Sequence, residues 1–246
     1  MAPPGAVGSA TSNGTADGSN RIVIRERAAG ACRAAPPVRS SAGSLVSPIS
    51  RGFLGHRHSG GDPSRLPPGQ HLTNGFPVLS AGPTPRTPLP EWSFTIDGVV
   101  KEAVSWRWEE FLALPAEQIT VDIHCVTKWT KLDTSWRGVS LDTLLQSVET
   151  DAQYLTAWCD GGYTTNLAVD DVADGKAWVA YEYDGGPVHP EHGGPARLLV
   201  PHLYFWKSAK WVRGLRLTPV DEPGFWETYG YHNHGDPWLE QRYQGD

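Results

Sequence analysis

A break in composition near Pro68 constrains the fold of this 246-residue chain more than any other feature. From Met1 to Pro68 the sequence is dominated by Ala, Gly, Ser, Pro and Arg, with almost no periodic apolar pattern. Such a stretch cannot bury enough apolar surface to offset the entropy lost on ordering, so residues 1–68 are expected to form a disordered or loosely draped tail. The core must then come from residues 69–246. A Pro-rich arm, Gly69 to Pro90, opens that part. Its only apolar cluster, Asn74-Gly75-Phe76-Pro77-Val78-Leu79, is expected to dock on the core.

Regular patterns begin at Glu91. Trp92 to Val100 alternates at period two around an Asp-Gly pair and reads as a hairpin. Ser105 precedes a helical stretch, Trp106 to Leu114, with Glu109 and Glu110 early and Pro115 as its stop. Ser140 is placed to cap a second helix, Leu141 to Val148, whose apolar face is Leu141, Leu144, Leu145 and Val148. Tyr154–Trp158, Ala177–Tyr183, Ala196–Val200 and Val212–Leu217 read as strands, and Leu167–Asp174 as a short helix or turn. Strands outnumber helices without alternating regularly with them. That predicts an α+β domain of mixed β-sheets with short helices rather than a doubly wound sheet.

Composition narrows the function classes. A net charge of -6 without any basic block argues against nucleic-acid binding. The longest apolar runs, such as Leu198-Leu199-Val200, fall far short of the roughly 20 residues a membrane anchor needs. Three cysteines, Cys32, Cys125 and Cys159, suit no disulfide framework and point to a cytoplasmic protein. Near Met1 there are no adjacent arginines followed by an apolar stretch, so an export leader is not expected. Arg27–His58, acid-free and rich in Arg, Ala and Ser, leaves an organelle transit peptide open.

Cys125 is the candidate for the chemistry. It lies in Asp122-Ile123-His124-Cys125-Val126-Thr127-Lys128-Trp129, with Trp136-Arg137-Gly138-Val139 close behind. Val121 and Ile123 alternate with polar residues, placing the cysteine where a half-buried strand enters a Lys- and Trp-containing turn. A buried free cysteine can be mere packing. A thiolate, however, is a soft ligand for a redox-active transition metal, and basic neighbours favour that form. One thiolate cannot hold zinc or an iron-sulfur centre unaided, but it can complete the coordination of a metal carried by an organic cofactor.

Further motifs share the pattern. Ala180 to Pro201 reads Ala-Tyr-Glu-Tyr-Asp-Gly-Gly-Pro-Val-His-Pro-Glu-His-Gly-Gly-Pro-Ala-Arg-Leu-Leu-Val-Pro, and Ser208-Ala209-Lys210-Trp211 precedes an apolar strand. In order and spacing, over roughly Leu66 to Asp246, these resemble the sulfite oxidase superfamily. The resemblance implies a sulfite oxidase-type fold binding a molybdenum-molybdopterin cofactor, with Cys125 as the protein's sulfur ligand to the metal. It further implies that His192, in a His-Gly-x-Pro-x-Arg pattern, hydrogen-bonds the pterin, and that the arm lays Asn74 and the peptide groups of Pro77 and Val78 along it.

Arg197 and Lys210 are the candidates for the pterin phosphate, as a fork of donors and a point charge, with backbone N–H groups at Ser208 and Ala209 adding to them. Arg197 could equally be a surface charge. Gly193 and Gly194 are expected to let backbone approach the ligand closely. Tyr163, after two glycines, aligns with the tyrosine that sulfite-oxidising members place beside the metal's oxo group; otherwise it is a buried aromatic whose hydroxyl finds a partner. Lys128, Lys131 and Arg137 are expected to make the pocket positive, although sulfite-oxidising members carry arginines just after the cysteine. Sulfoxide-reducing relatives have a more aromatic entrance, and this chain has eleven tryptophans, Trp129 and Trp136 among them.

His189, His202, His232 and His234 read as solvated loop residues. The aromatic segment Glu222–Trp238 is expected to wrap the domain. Neither a haem domain nor an immunoglobulin-like dimerisation domain is recognisable, which implies a monomeric core exchanging electrons with a separate protein. The expected function is oxygen-atom transfer to or from a small substrate at sulfur, in the manner of sulfite oxidation or sulfoxide reduction. The alternatives are a metal-free binding module retaining the fold, and a zinc hydrolase using His124 and the histidines near His232.

Overall fold

The strand Trp129–Ser140 (β5) organises one of two sheets, because its twelve residues are long enough to pair with different partners at its two ends. The structure, a computed structural model, describes residues 62–246. The expectations for Met1 to Gly61 lie outside them.

β5 forms a hairpin with Glu117–His124 (β4), and its first residues pair in parallel with His71–Leu72 (β1). Its last residues run antiparallel to Trp178–Tyr183 (β8), which also pairs with Gly186–Pro187 (β9) and Arg197–Leu199 (β10). The second sheet has the order β3-β2-β11-β6-β7. Its members are Ser93–Gly98 (β2), Val104–Arg107 (β3), Tyr154–Cys159 (β6), Thr164–Ala168 (β7) and Val212–Thr218 (β11). β1 with β5 and β2 with β11 are parallel and the rest antiparallel, as mixed sheets require.

Period two decides which face each side chain takes. Along β8, Val179 and Tyr181 join a core shared with Phe94, Ile96, Leu155 and Leu215 of the second sheet. Trp178 and Ala180 point the other way, into a separate cluster with Ile123, Trp129, Trp136 and Leu199. The first sheet is therefore buried on both faces, and the second cluster is the one on which the arm docks. Phe76 packs there, its ring stacked on that of His192 with centroids 3.9 Å apart and planes nearly parallel, at 12°. Arg65 forks onto Asp122, and also reaches Asp133 at 2.6 Å, so the docked chain extends a few residues before the boundary expected at 69.

Ser140 caps Leu141–Leu145 (α2) through Thr143 N–H, as expected, though the helix is shorter. The first helix is corrected. Ser105–Arg107 belong to β3, with Arg107 opposite Ser93, and only Trp108–Leu112 (α1) is helical, Glu110 accepting from the Arg107 N–H. The hairpin turn therefore falls after Gly98, between β2 and β3. Leu167 and Ala168 end β7, leaving a single 3-10 turn at Val169–Asp171. The tail contributes Phe225–Thr228 (α3), which packs back on β7.

Candidate active site

Cys125 sits in the turn between β4 and β5, which its own peptide groups close. Its N–H donates to Trp129 O at 2.9 Å and its carbonyl accepts from the Lys128 N–H at 2.9 Å and from Gln70 Nε2 at 3.1 Å. Lys128 takes a left-handed φ of 73°, which sharpens the turn. The sulfur is buried, with the residue 7% exposed, and accepts a hydrogen bond from Thr127 Oγ1 at 3.1 Å. Burial pushes the thiol up, while the Thr127 hydroxyl acts in the opposite direction.

Above the turn lies a cavity of about 690 Å³, within the range of cofactor pockets. Of the residues expected at the site, Pro77, Cys125, Tyr163, His192, Arg197, Ser208, Ala209 and Lys210 line it. Asn74 and Val78 are exposed and do not; the Asn74 carbonyl instead accepts from Lys131 Nζ at 2.9 Å.

Arg197 is no surface charge. Strand alternation sends it to the same face as Leu199, where it is 1% exposed with its guanidinium 4.1 Å from the centre of the Phe205 ring. It donates to three carbonyls: His192 O at 2.8 Å, Ser208 O at 2.6 Å and Leu198 O at 3.3 Å. Among the described residues no carboxylate pairs with it. Lys210 Nζ likewise donates to carbonyls, those of Leu79 and Glu191, both at 2.7 Å. Burial, and then Arg197, push its ammonium down to about 8. Burial, with the two cations next, pushes His192 down to about 4, so its imidazole is neutral at pH 7. Its buried Nδ1 has no hydrogen-bond partner. Two cations that disfavour each other and an unpartnered ring nitrogen on one wall are matched to an anionic ligand with further polar groups.

Other expectations are corrected. Lys128 and Arg137 are exposed, Lys131 is turned to the arm, and none of the three lines the cavity. The positive wall comes instead from Arg197 and Lys210, far away in sequence. The space beside Gly193 and Gly194 faces protein rather than ligand. A Cβ on Gly194 would lie 2.0 Å from Val188 O, and one on Gly193 2.9 Å from Lys210 Cβ. Ser208 is committed as well, its N–H to Phe205 O at 3.2 Å and its Oγ to the Val200 N–H at 2.8 Å. Tyr163 donates its hydroxyl to Trp206 O at 2.7 Å, and burial, then Glu227, hold its phenol well above the ordinary range. At neutral pH that proton stays on the phenol.

Sequence reasoning missed much of the wall. Phe205, Trp206 and Trp211 flank the Ser-Ala-Lys motif, and Phe225, Trp226 and Tyr231 come from the tail. The tail's aromatic density signalled wrapping but not a share in the site. His234 reaches Asp171 at 3.2 Å and Gln241 at 3.0 Å on the surface. Among the described residues no three His, Cys, Asp or Glu are grouped to hold a metal ion by themselves. No helix among them is long and apolar enough to cross a membrane.

Residues 81–226 match the family model of the oxidoreductase molybdopterin binding domain. The chain belongs to that family. One relative, the uncharacterized oxidoreductase YuiH of Bacillus subtilis (strain 168), is 40% identical over 197 residues, 79% of this chain and 100% of the relative. The catalytic subunit MsrP of the protein-methionine-sulfoxide reductase of Gluconobacter oxydans (strain 621H) is 26% identical over 62% of this chain, which spans only 56% of MsrP. The crystal structure of the sulfane dehydrogenase SoxCD from Paracoccus pantotrophus shares the fold, with a TM-score of 0.51 at 21% identity over 56% of this chain and 41% of that one. The chain is thus a sulfite oxidase-like molybdopterin oxidoreductase core, and an enzyme.

Proposed function

We propose that the protein is a molybdenum-pterin-dependent oxidoreductase that moves an oxygen atom between water and the sulfur of a small, uncharged organic substrate, in the sense of sulfoxide reduction. The observation that carries this reading is the single cavity wall shared by the Cys125 thiol, the carboxylate-free cations Arg197 and Lys210, and a belt of aromatic rings. When bound, the molybdenum-pterin group supplies the two-electron redox chemistry.

The chain's own residues divide the remaining work. Cys125 offers the soft sulfur, and Arg197 and Lys210 neutralise the phosphate. His192, held flat against Phe76, presents a neutral nitrogen to the pterin. With both cations committed to the cofactor, the aromatic part of the remaining wall includes Trp129, Phe205, Trp206, Phe225, Trp226 and Tyr231, and among the described residues the only charged side chain left on it is the acidic Asp160. Such a wall suits a thioether or sulfoxide better than the dianion sulfite, because it excludes water and offers no free positive charge. The methionine-sulfoxide reductase among the relatives is consistent with this preference. Electrons reach the site from a separate protein, and the free, buried thiol of Cys159 suits a cytoplasmic setting.

The test begins with molybdenum analysis and pterin release on protein from a host that makes the cofactor. Stoichiometric molybdenum in the wild type, lost in Cys125→Ala while pterin is retained, supports the site. Folded protein with neither, beside a loaded control enzyme, would leave a metal-free binding module. Turnover of organic sulfoxides with a reduced viologen dye is then compared with sulfite oxidation. Faster sulfite oxidation overturns the substrate assignment.

A further inference from the structure

We infer that Thr127 is a positioning residue that sets how strongly the Cys125 sulfur donates electrons to the metal it holds; the inference rests on the molybdenum reading above. The Thr127 hydroxyl could point to solvent, since the residue is exposed at the cavity rim, yet it turns back to the sulfur at 3.1 Å. That sulfur is its only hydrogen-bond partner among the described residues. A hydroxyl serving merely to close the turn would bond backbone, and here the turn is closed without it, by the Lys128 N–H on Cys125 O.

The hydroxyl is a donor to that sulfur which a side-chain change can remove. Each hydrogen bond draws electron density from a thiolate and makes it a weaker donor, which stabilises the reduced form of a metal bound to it and raises its potential.

The experiment uses cofactor-loaded wild type, Thr127→Val and Thr127→Ser, with molybdenum content measured first. Potentiometric titration of the molybdenum signal by electron paramagnetic resonance is combined with the position of the sulfur-to-metal charge-transfer band. Thr127→Val is expected to shift the midpoint to more negative potential and the band to lower energy, and Thr127→Ser to return both to wild-type values. Loaded Thr127→Val with wild-type potential and band overturns the inference while leaving the molybdenum reading intact. A wild type that binds no molybdenum removes both, and is recognised before any variant is compared. Should the valine variant fail to load, Thr127→Ala removes the same donor without added apolar bulk and decides in its place.

Discussion

Lys207 and Glu227 meet at 2.6 Å with both side chains almost wholly removed from water, at 0% and 1% exposure. The pair joins the loop preceding Ser208 to the aromatic tail, and so fixes two walls of the cavity against each other. Lys207 also donates to the Asn166 carbonyl at 2.9 Å, and Glu227 Oε1 accepts from Trp206 Nε1 at 2.9 Å, while Glu227 Oε2 is buried without a partner among the described residues. Removing one partner leaves an uncompensated buried charge. Lys207→Met is expected to cost about 3–5 kcal/mol in urea unfolding. The double change Lys207→Met with Glu227→Leu should recover a large part of it, and a double variant no better than the single one would contradict this account.

Arg197 spans three carbonyls with a planar fork that lysine cannot reproduce. Arg197→Lys is therefore expected to lose about 1–3 kcal/mol of stability through unsatisfied carbonyls. It should also lower pterin retention, read by fluorescence of the oxidised pterin after gel filtration.

His192 is held neutral by burial and by the cations beside it, down to about 4. Nitrogen-15 spectra should show it unprotonated through pH 5. Because its folded value lies below the unfolded one of about 6.5, it takes up no proton while the unfolded chain does. Stability is then lost as pH falls from about 6.5 towards 4, and His192→Gln should flatten that part of the profile.

His234 behaves oppositely. Its hydrogen bond to Asp171 raises its value above the usual histidine range. Its stabilisation is complete below about 6.5 and fades as pH rises through the raised folded value. The site is solvent-screened, so the effect should stay below about 1 kcal/mol. His234→Asn should abolish this rise-linked loss in thermal melts taken across neutral pH.

How much of this was legible in the sequence depended on the range of the forces involved. Cys125 and its turn were readable because strand alternation and the turn are local. The Ser140 cap was local too. Ser105–Arg107 looked helical because Glu109 and Glu110 follow, but pairing with Ser93 prevailed, and that partner is fixed only by the sheet. Thr164–Ala168 was hidden behind two glycines whose turn signal masked the strand. The burial of Arg197 could not be read from a three-residue strand, since either face was open until β8 lay beside it. Lys128, Lys131 and Arg137 are near Cys125 in sequence but not on the cavity wall, because the hairpin sends them to solvent or to the arm.

The cavity's walls are gathered from Phe76 in the arm, Cys125 in a hairpin, Arg197 in a strand and Tyr231 in the tail. The last of these is tied to the rest by the Lys207–Glu227 pair, which locks the tail to the loop that carries Ser208. Loosening the tail would therefore reshape the interior of the cavity and not only the surface of the protein.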